Sequence, residues 1–150
     1  MKIAVGSDHR GYEAKRKFAP YLKQLGHEVE DYGCETNAVA SDYPDFALAV
    51  GRAVIEGRAD VGVLFDNSGL GMSIAANKVP GVRAALAHDE VTARIAREHN
   101  HCNILCLGCD LLNEGEIKKI IQMFLSCDFS QGRHLRRIEK LREIEKQLGA

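Results

Sequence analysis

No stretch of this 150-residue chain is apolar for long enough to cross a bilayer. The N-terminus, MKIAVGSDHRGYE, meets Asp8 too early to hold the hydrophobic region of a signal peptide. Charge of one sign is also lacking. Twenty Lys and Arg stand against 21 Asp and Glu, a formal net charge of -1, so the balance gives no reason to expect nucleic acid or an anionic membrane as partner. An anion site must come from local placement of a few Arg and His residues. Cysteines number five (34, 102, 106, 109 and 127), an odd count without an export signal. That argues against a disulfide framework and for a reducing, cytoplasmic setting. Cys106 and Cys109 form a C-x-x-C, but no second pair at zinc spacing follows. Cys106 lies inside the apolar run NILCLG, so the pair reads as core thiols, and neither metal nor cofactor is expected. Repeats, linkers and low-complexity tracts are missing too. The length suits one domain, residues 1–150, with a real core.

What is present is alternation. Short β-rich runs at 2–6, 27–33, 59–66, 82–87 and 103–108 are separated by helical patterns at 11–26, 43–57, 71–78, 89–100 and 113–126. Pro44 suits a first helical turn, and Asp89 an N-cap. Five strands joined through helices by short connections predict a parallel sheet covered on both faces. Such a doubly wound α/β fold takes ligands at the strands' C-terminal ends. The last segment, 133–150, carries Leu135, Ile138, Leu141, Ile144 and Leu148 as one stripe at helical spacing. It can dock on its own domain, but a stripe so long and narrow suits another subunit at least as well.

The chemistry-bearing residues fall in a few loops. Asp8 and His9 follow the first strand, and DNSGLG follows the third. Glycines 69 and 71 sit where strand turns to helix, so successive N–H groups can converge on a phosphate or a developing oxyanion. No Gly-Lys-Ser/Thr and no full G-x-G-x-x-G is present. Taken alone, the motif favours a plain tight turn capped by Asp66. His9 and His99 are set apart from the other histidines because each falls at an expected ligand-facing end. Arg133 and Arg137 share a helix face at i, i+4 and can grip phosphate oxygens, although exposed Arg is usually only solvated. Tyr43 can be a core residue with its hydroxyl at the rim. Together these residues point to a small anionic ligand and acid–base chemistry without metal.

In order along the chain, SDH-x-G, SDYPDFA, G-x-GMSIAANK, REHN, NILCLG and GRHLRRIEKL make it resemble the ribose-5-phosphate isomerase B family, which includes the galactose-6-phosphate isomerase subunits. The resemblance runs nearly end to end. It implies a Rossmann-like homodimer, or dimer of dimers, with active sites shared between subunits and the C-terminal helix packing on a partner. It also implies interconversion of an aldose phosphate and its ketose through a cis-enediolate. Carried over residue by residue, Asp8, His9 and Tyr43 contact the sugar, with His9 near the phosphate. Asn67, Ser68, Gly69, Leu70 and Gly71 form the oxyanion and sugar loop. The partner's copy of His99 opens the furanose ring, its Asn100 binds a hydroxyl, and Arg133 and Arg137 hold the phosphate.

Two positions depart from the family pattern. Asp66 stands where the usual member has the cysteine that transfers the proton, with Asn67 and Ser68 replacing Gly and Thr. Asp110 stands where an arginine usually reaches a phosphate, and is expected to pair with Arg136 or another arginine or to turn to solvent. A carboxylate is a competent base beside a carbonyl, and burial would strengthen it. The default expectation is therefore an isomerase of ribose 5-phosphate and ribulose 5-phosphate, with Asp66 and His99 catalytic. Two alternatives stay open: an isomerase for another sugar or sugar phosphate, and a non-catalytic sugar-phosphate-binding or partner subunit.

Overall fold

Hydrophobic residues two apart in the third strand explain the architecture. Val61, Val63 and Phe65 face one side of the sheet, while Leu64 faces the other, and all are buried. A strand apolar on both faces needs a layer on each. In the computed structural model, which describes residues 1–149, five strands supply the sheet: β1 (Lys2–Ser7), β2 (Glu28–Asp31), β3 (Val61–Asp66), β4 (Ala84–Leu86) and β5 (Ile104–Gly108). They are all parallel, in the order β2-β1-β3-β5-β4. This is the expected doubly wound α/β arrangement.

Helices α1 (Tyr12–Gln24), α4 (Glu90–Glu98) and α5 (Glu114–Ser126) cover the first face. There Phe18 stacks on Phe65 at 5.8 Å between ring centroids, beside Leu22, Ile120 and Phe124. Fully burying a side chain of this size stabilises by roughly 1.5–3 kcal/mol. Helices α2 (Tyr43–Ile55) and α3 (Leu70–Ala76) cover the other face through Ala47, Val50, Met72 and Ala76. Pro44 does lie in the first turn of α2. Asp89 caps α4, its carboxylate accepting the Thr92 N–H at 2.7 Å. The fourth strand is shorter than the 82–87 expected. The Arg83 N–H is taken by the Asn103 side chain at 2.8 Å, so regular pairing begins only at Ala84.

Helix α6 (Arg133–Gln147) begins where expected; position 150, assigned to it from sequence, lies outside the described residues. Of its stripe, Ile138 is buried, whereas Leu135, Leu141, Ile144 and Leu148 are exposed on the single chain. Among the described residues no helix is long and apolar enough to cross a membrane. All five cysteines are free, and Cys106 lies in the core as read from NILCLG.

Candidate active site

The strand order reverses between β1 and β3, and the loops leaving their C-terminal ends carry Asp8 and Asp66. A crevice at such a reversal is where open parallel sheets bind ligands. Both acids are buried, 6% and 2% exposed, so each needs donors. Asp8 Oδ1 accepts the N–H groups of Arg10 (2.9 Å) and Gly11 (3.0 Å). Asp66 Oδ1 accepts the Gly69 N–H. That turn requires glycine: Gly69 has φ +78°, and a Cβ there would lie 2.2 Å from Leu86 Cδ1. Gly69→Ala should therefore destabilise the fold by about 1–3 kcal/mol in urea denaturation, through left-handed strain and overpacking.

Burial pushes the Asp66 carboxyl above the usual carboxylate range, and the neighbouring Asp8 charge adds to the rise. The N–H groups of Gly69, Met72 and Ser68 oppose it. A carboxylate so placed binds a proton more tightly than one in water, which makes it a stronger base. The nearby thiols are unsuited to that work. Burial, with the charges of Asp66, Asp110 and Asp8, pushes Cys109 up to about 12, and Cys106 also lies well above its ordinary value.

Around Asp66 the expected sugar contacts gather at one edge. Asn67 and Leu70 are exposed, and Ser68 and Gly71 half-buried. The Leu70 N–H turns to Ser68 Oγ at 3.3 Å. The carbonyl four residues back from Gly71, that of Asn67, accepts the Asp110 N–H (3.0 Å), and the Gly71 N–H is one of the donors a helix start leaves free. Tyr43 opens α2 and is 39% exposed. Its ring lies across Gly71, where a Cβ would approach ring carbons at 2.9–3.1 Å. His9 is fixed by Ser41: its N–H donates to Ser41 Oγ (3.0 Å), and its Nδ1 accepts the Ser41 N–H (3.2 Å). Nδ1 also lies 3.3 Å from the Ser41 carbonyl, and Nε2 has no protein hydrogen-bond partner among the described residues.

His99 is elsewhere. It caps the C-terminus of α4, which runs back from the end of β4 to the start of β5, so it sits at the amino edge of the sheet. The expectation that it shares a ligand-facing strand end with His9 is corrected by this helix direction. The two edges of a six-residue strand are roughly 20 Å apart. Arg133 and Arg137 join His99 there. The Ser130 N–H and Oγ bond to the Glu98 carbonyl at 3.0 and 2.7 Å, drawing the start of α6 against the end of α4. His134 then stacks on His99 at 4.2 Å between centroids. Asn100, Arg133 and Arg137 are exposed, and no carboxylate pairs with either arginine among the described residues. The expected site residues thus fall in two groups, one at each edge of the sheet.

The sequence does not single out Arg10 among the arginines that could partner Asp110. Asp110 does pair with an arginine, one other than Arg136: Arg10 Nη2 reaches its Oδ2 at 2.6 Å. The complementary charges in SDHRG and GCD, on loops at the same sheet edge, were the available signal.

The ribose/galactose isomerase family model matches residues 3–141. Ribose-5-phosphate isomerase B of Mycobacterium tuberculosis is 39% identical over 147 residues, covering 97% of this chain and 91% of that one. Among solved structures, the Clostridium thermocellum ribose-5-phosphate isomerase B superposes with a TM-score of 0.96 at 47% identity, covering 99% of both chains. The Mycoplasma genitalium ribose-5-phosphate isomerase B with bound ribulose-5-phosphate gives 0.93 at 40% identity, covering 97% of this chain and 96% of that one. A family match over residues 3–141, with relatives 39% to 47% identical along nearly the whole chain, means that the chain belongs to the ribose/galactose isomerase family.

Proposed function

We propose that this protein is an aldose–ketose isomerase interconverting ribose 5-phosphate and ribulose 5-phosphate, the whole chain acting as one domain. The observation that carries this reading is Asp66: a buried carboxylate with raised proton affinity, at the strand-order reversal, beside a loop of N–H donors. As base, it takes the proton from C2 of the open-chain aldose, and the electron pair moves into a cis-enediolate. O1 gains a proton as the O2 hydroxyl gives one up, and the Asp66 carboxyl, whose proton exchanges with solvent at the enediolate stage, protonates C1 while O2 becomes the ketone. The loop 67–71 faces the developing oxyanion, and Asp8, His9 and Tyr43 position the sugar.

Ring opening and phosphate binding need His99, Asn100, Arg133 and Arg137, which one chain holds at the far edge. A second copy supplies them, which accounts for two half-sites and for an exposed apolar stripe on α6. The partner of the chain is therefore itself, as a homodimer or dimer of dimers, working in the cytoplasm without a metal.

The test is direct. Purified protein incubated with ribose 5-phosphate in D2O, with a chelator present, should yield ribulose 5-phosphate carrying solvent deuterium at C1. No turnover of any pentose, tetrose or hexose phosphate would overturn the reading.

A further inference from the structure

The carboxyl edge is acidic for a site meant to admit a phosphate. Asp8, Asp66 and Asp110 follow or end the neighbouring strands β1, β3 and β5. Asp110 is drawn close to the Asn67 loop, because the Cys109 N–H donates to the Asp66 carbonyl (2.8 Å) and the Asp110 N–H to the Asn67 carbonyl (3.0 Å). Its side chain is half-exposed, 48%, so it faces the mouth and not the core. Left bare, it would repel any anion entering there.

Arg10 changes that. Its backbone is anchored by Asp8, and its guanidinium reaches across the end of β3 to Asp110. A guanidinium has five N–H donors in a rigid fork. Asp110 engages Nη2, and no other protein acceptor is bonded to this side chain among the described residues. Arg10 is 56% exposed in its side chain, next in sequence to His9, and pointed across the same mouth.

We propose that Arg10 is this edge's own contribution to the phosphate site, masking Asp110 with one donor and offering the rest of its fork to the anion beside the Arg133 and Arg137 that a second copy brings. The inference rests on the isomerase reading for the identity of the ligand, a sugar phosphate, but its geometry does not depend on turnover. It makes Arg10 a specificity-determining residue: phosphorylated sugars gain from it and unphosphorylated ones do not.

Titration of the full-length chain with ribose 5-phosphate, inorganic phosphate and ribose separates the possibilities. Arg10→Gln should weaken ribose 5-phosphate and inorganic phosphate about tenfold or more, with ribose affinity unchanged. Arg10→Gln combined with Asp110→Asn should recover part of that loss, because the unmasked acid is gone. A merely structural role for Arg10 would weaken all three ligands alike and would overturn the proposal. So would phosphate affinity within twofold of wild type in Arg10→Gln, no recovery in the double variant, or no phosphate binding by the wild type. A wild type that binds phosphate through Arg10 yet isomerises no sugar phosphate supports this inference while overturning the isomerase reading. Turnover with a silent Arg10→Gln does the reverse.

Discussion

Asp66→Asn is expected to lower kcat for the ribose 5-phosphate interconversion about a thousandfold, with KM moving by only a few-fold. The substitution is nearly isosteric, and the amide oxygen can still accept the Gly69 N–H that holds the turn. What disappears is the proton-accepting carboxylate. A base that acts only in the transition state shows its loss in kcat, not in ground-state binding. A rate within tenfold of wild type would leave Asp66 as a turn cap and place the base elsewhere.

The same variant should melt at a higher temperature than wild type at neutral pH. The folded-state value of Asp66 lies above its ordinary 3.8, chiefly through burial, so folding favours the protonated acid. Stability from this group is fully present below the unfolded value. It is lost as pH rises through the folded value. An asparagine cannot ionise and escapes that loss. The gap in Tm between variant and wild type should therefore open upward from about pH 4 and level off above the folded value. A gap independent of pH would mean that Asp66 is not strained by its burial. A site residue whose removal stabilises the fold is the expected signature of catalytic placement, where function and stability pull apart.

Much of this was legible in the sequence because periodicity and chain order are local. Val61, Val63 and Phe65 alternate with Leu64, and Asp89 precedes a helical run, so strand, helix and cap could each be read in place. The loop 66–71 could likewise be placed at a strand end. What could not be read was direction across the fold. His99, like His9, reads as falling at a ligand-facing end, but α4 runs antiparallel to the strands and carries His99 to the opposite edge. Nor could Asp110 be matched to its partner. Arg10 is 100 residues away, and only the order β1-β3-β5 brings the two loops together. Long-range pairing of charges depends on topology, and topology was known here only as a class. The stacking of His134 on His99 was hidden for the same reason, since it needs Ser130 to tie α6 to the end of α4.

That displacement of His99 makes the second large prediction possible. If Asp66 of one subunit works with His99 of the other, two inactive variants should restore each other. Asp66→Asn subunits lack the base, and His99→Asn subunits lack the ring-opening group. Each homo-oligomer is damaged at every site. In a mixed dimer, one site combines both lesions and the other receives an intact Asp66 from one chain and an intact His99 from its partner. Random exchange of equal amounts makes about half the dimers mixed, each with one intact site of two, so activity should climb to about a quarter of wild type. The mixture starts from two preparations each reduced by about a hundredfold or more, so the rise is large. It should appear only after subunits exchange, for example on co-expression or co-refolding, and the mixed species should run at the size of the wild-type oligomer. Sites complete within one chain would give no rise at all, since no exchange could repair either lesion. The exposed leucines and Ile144 at the end of the chain supply a way to block the effect. Leu141→Lys together with Ile144→Lys places charge on a stripe that the dimer must bury, and should give monomers that retain the fold but neither turn over substrate nor complement.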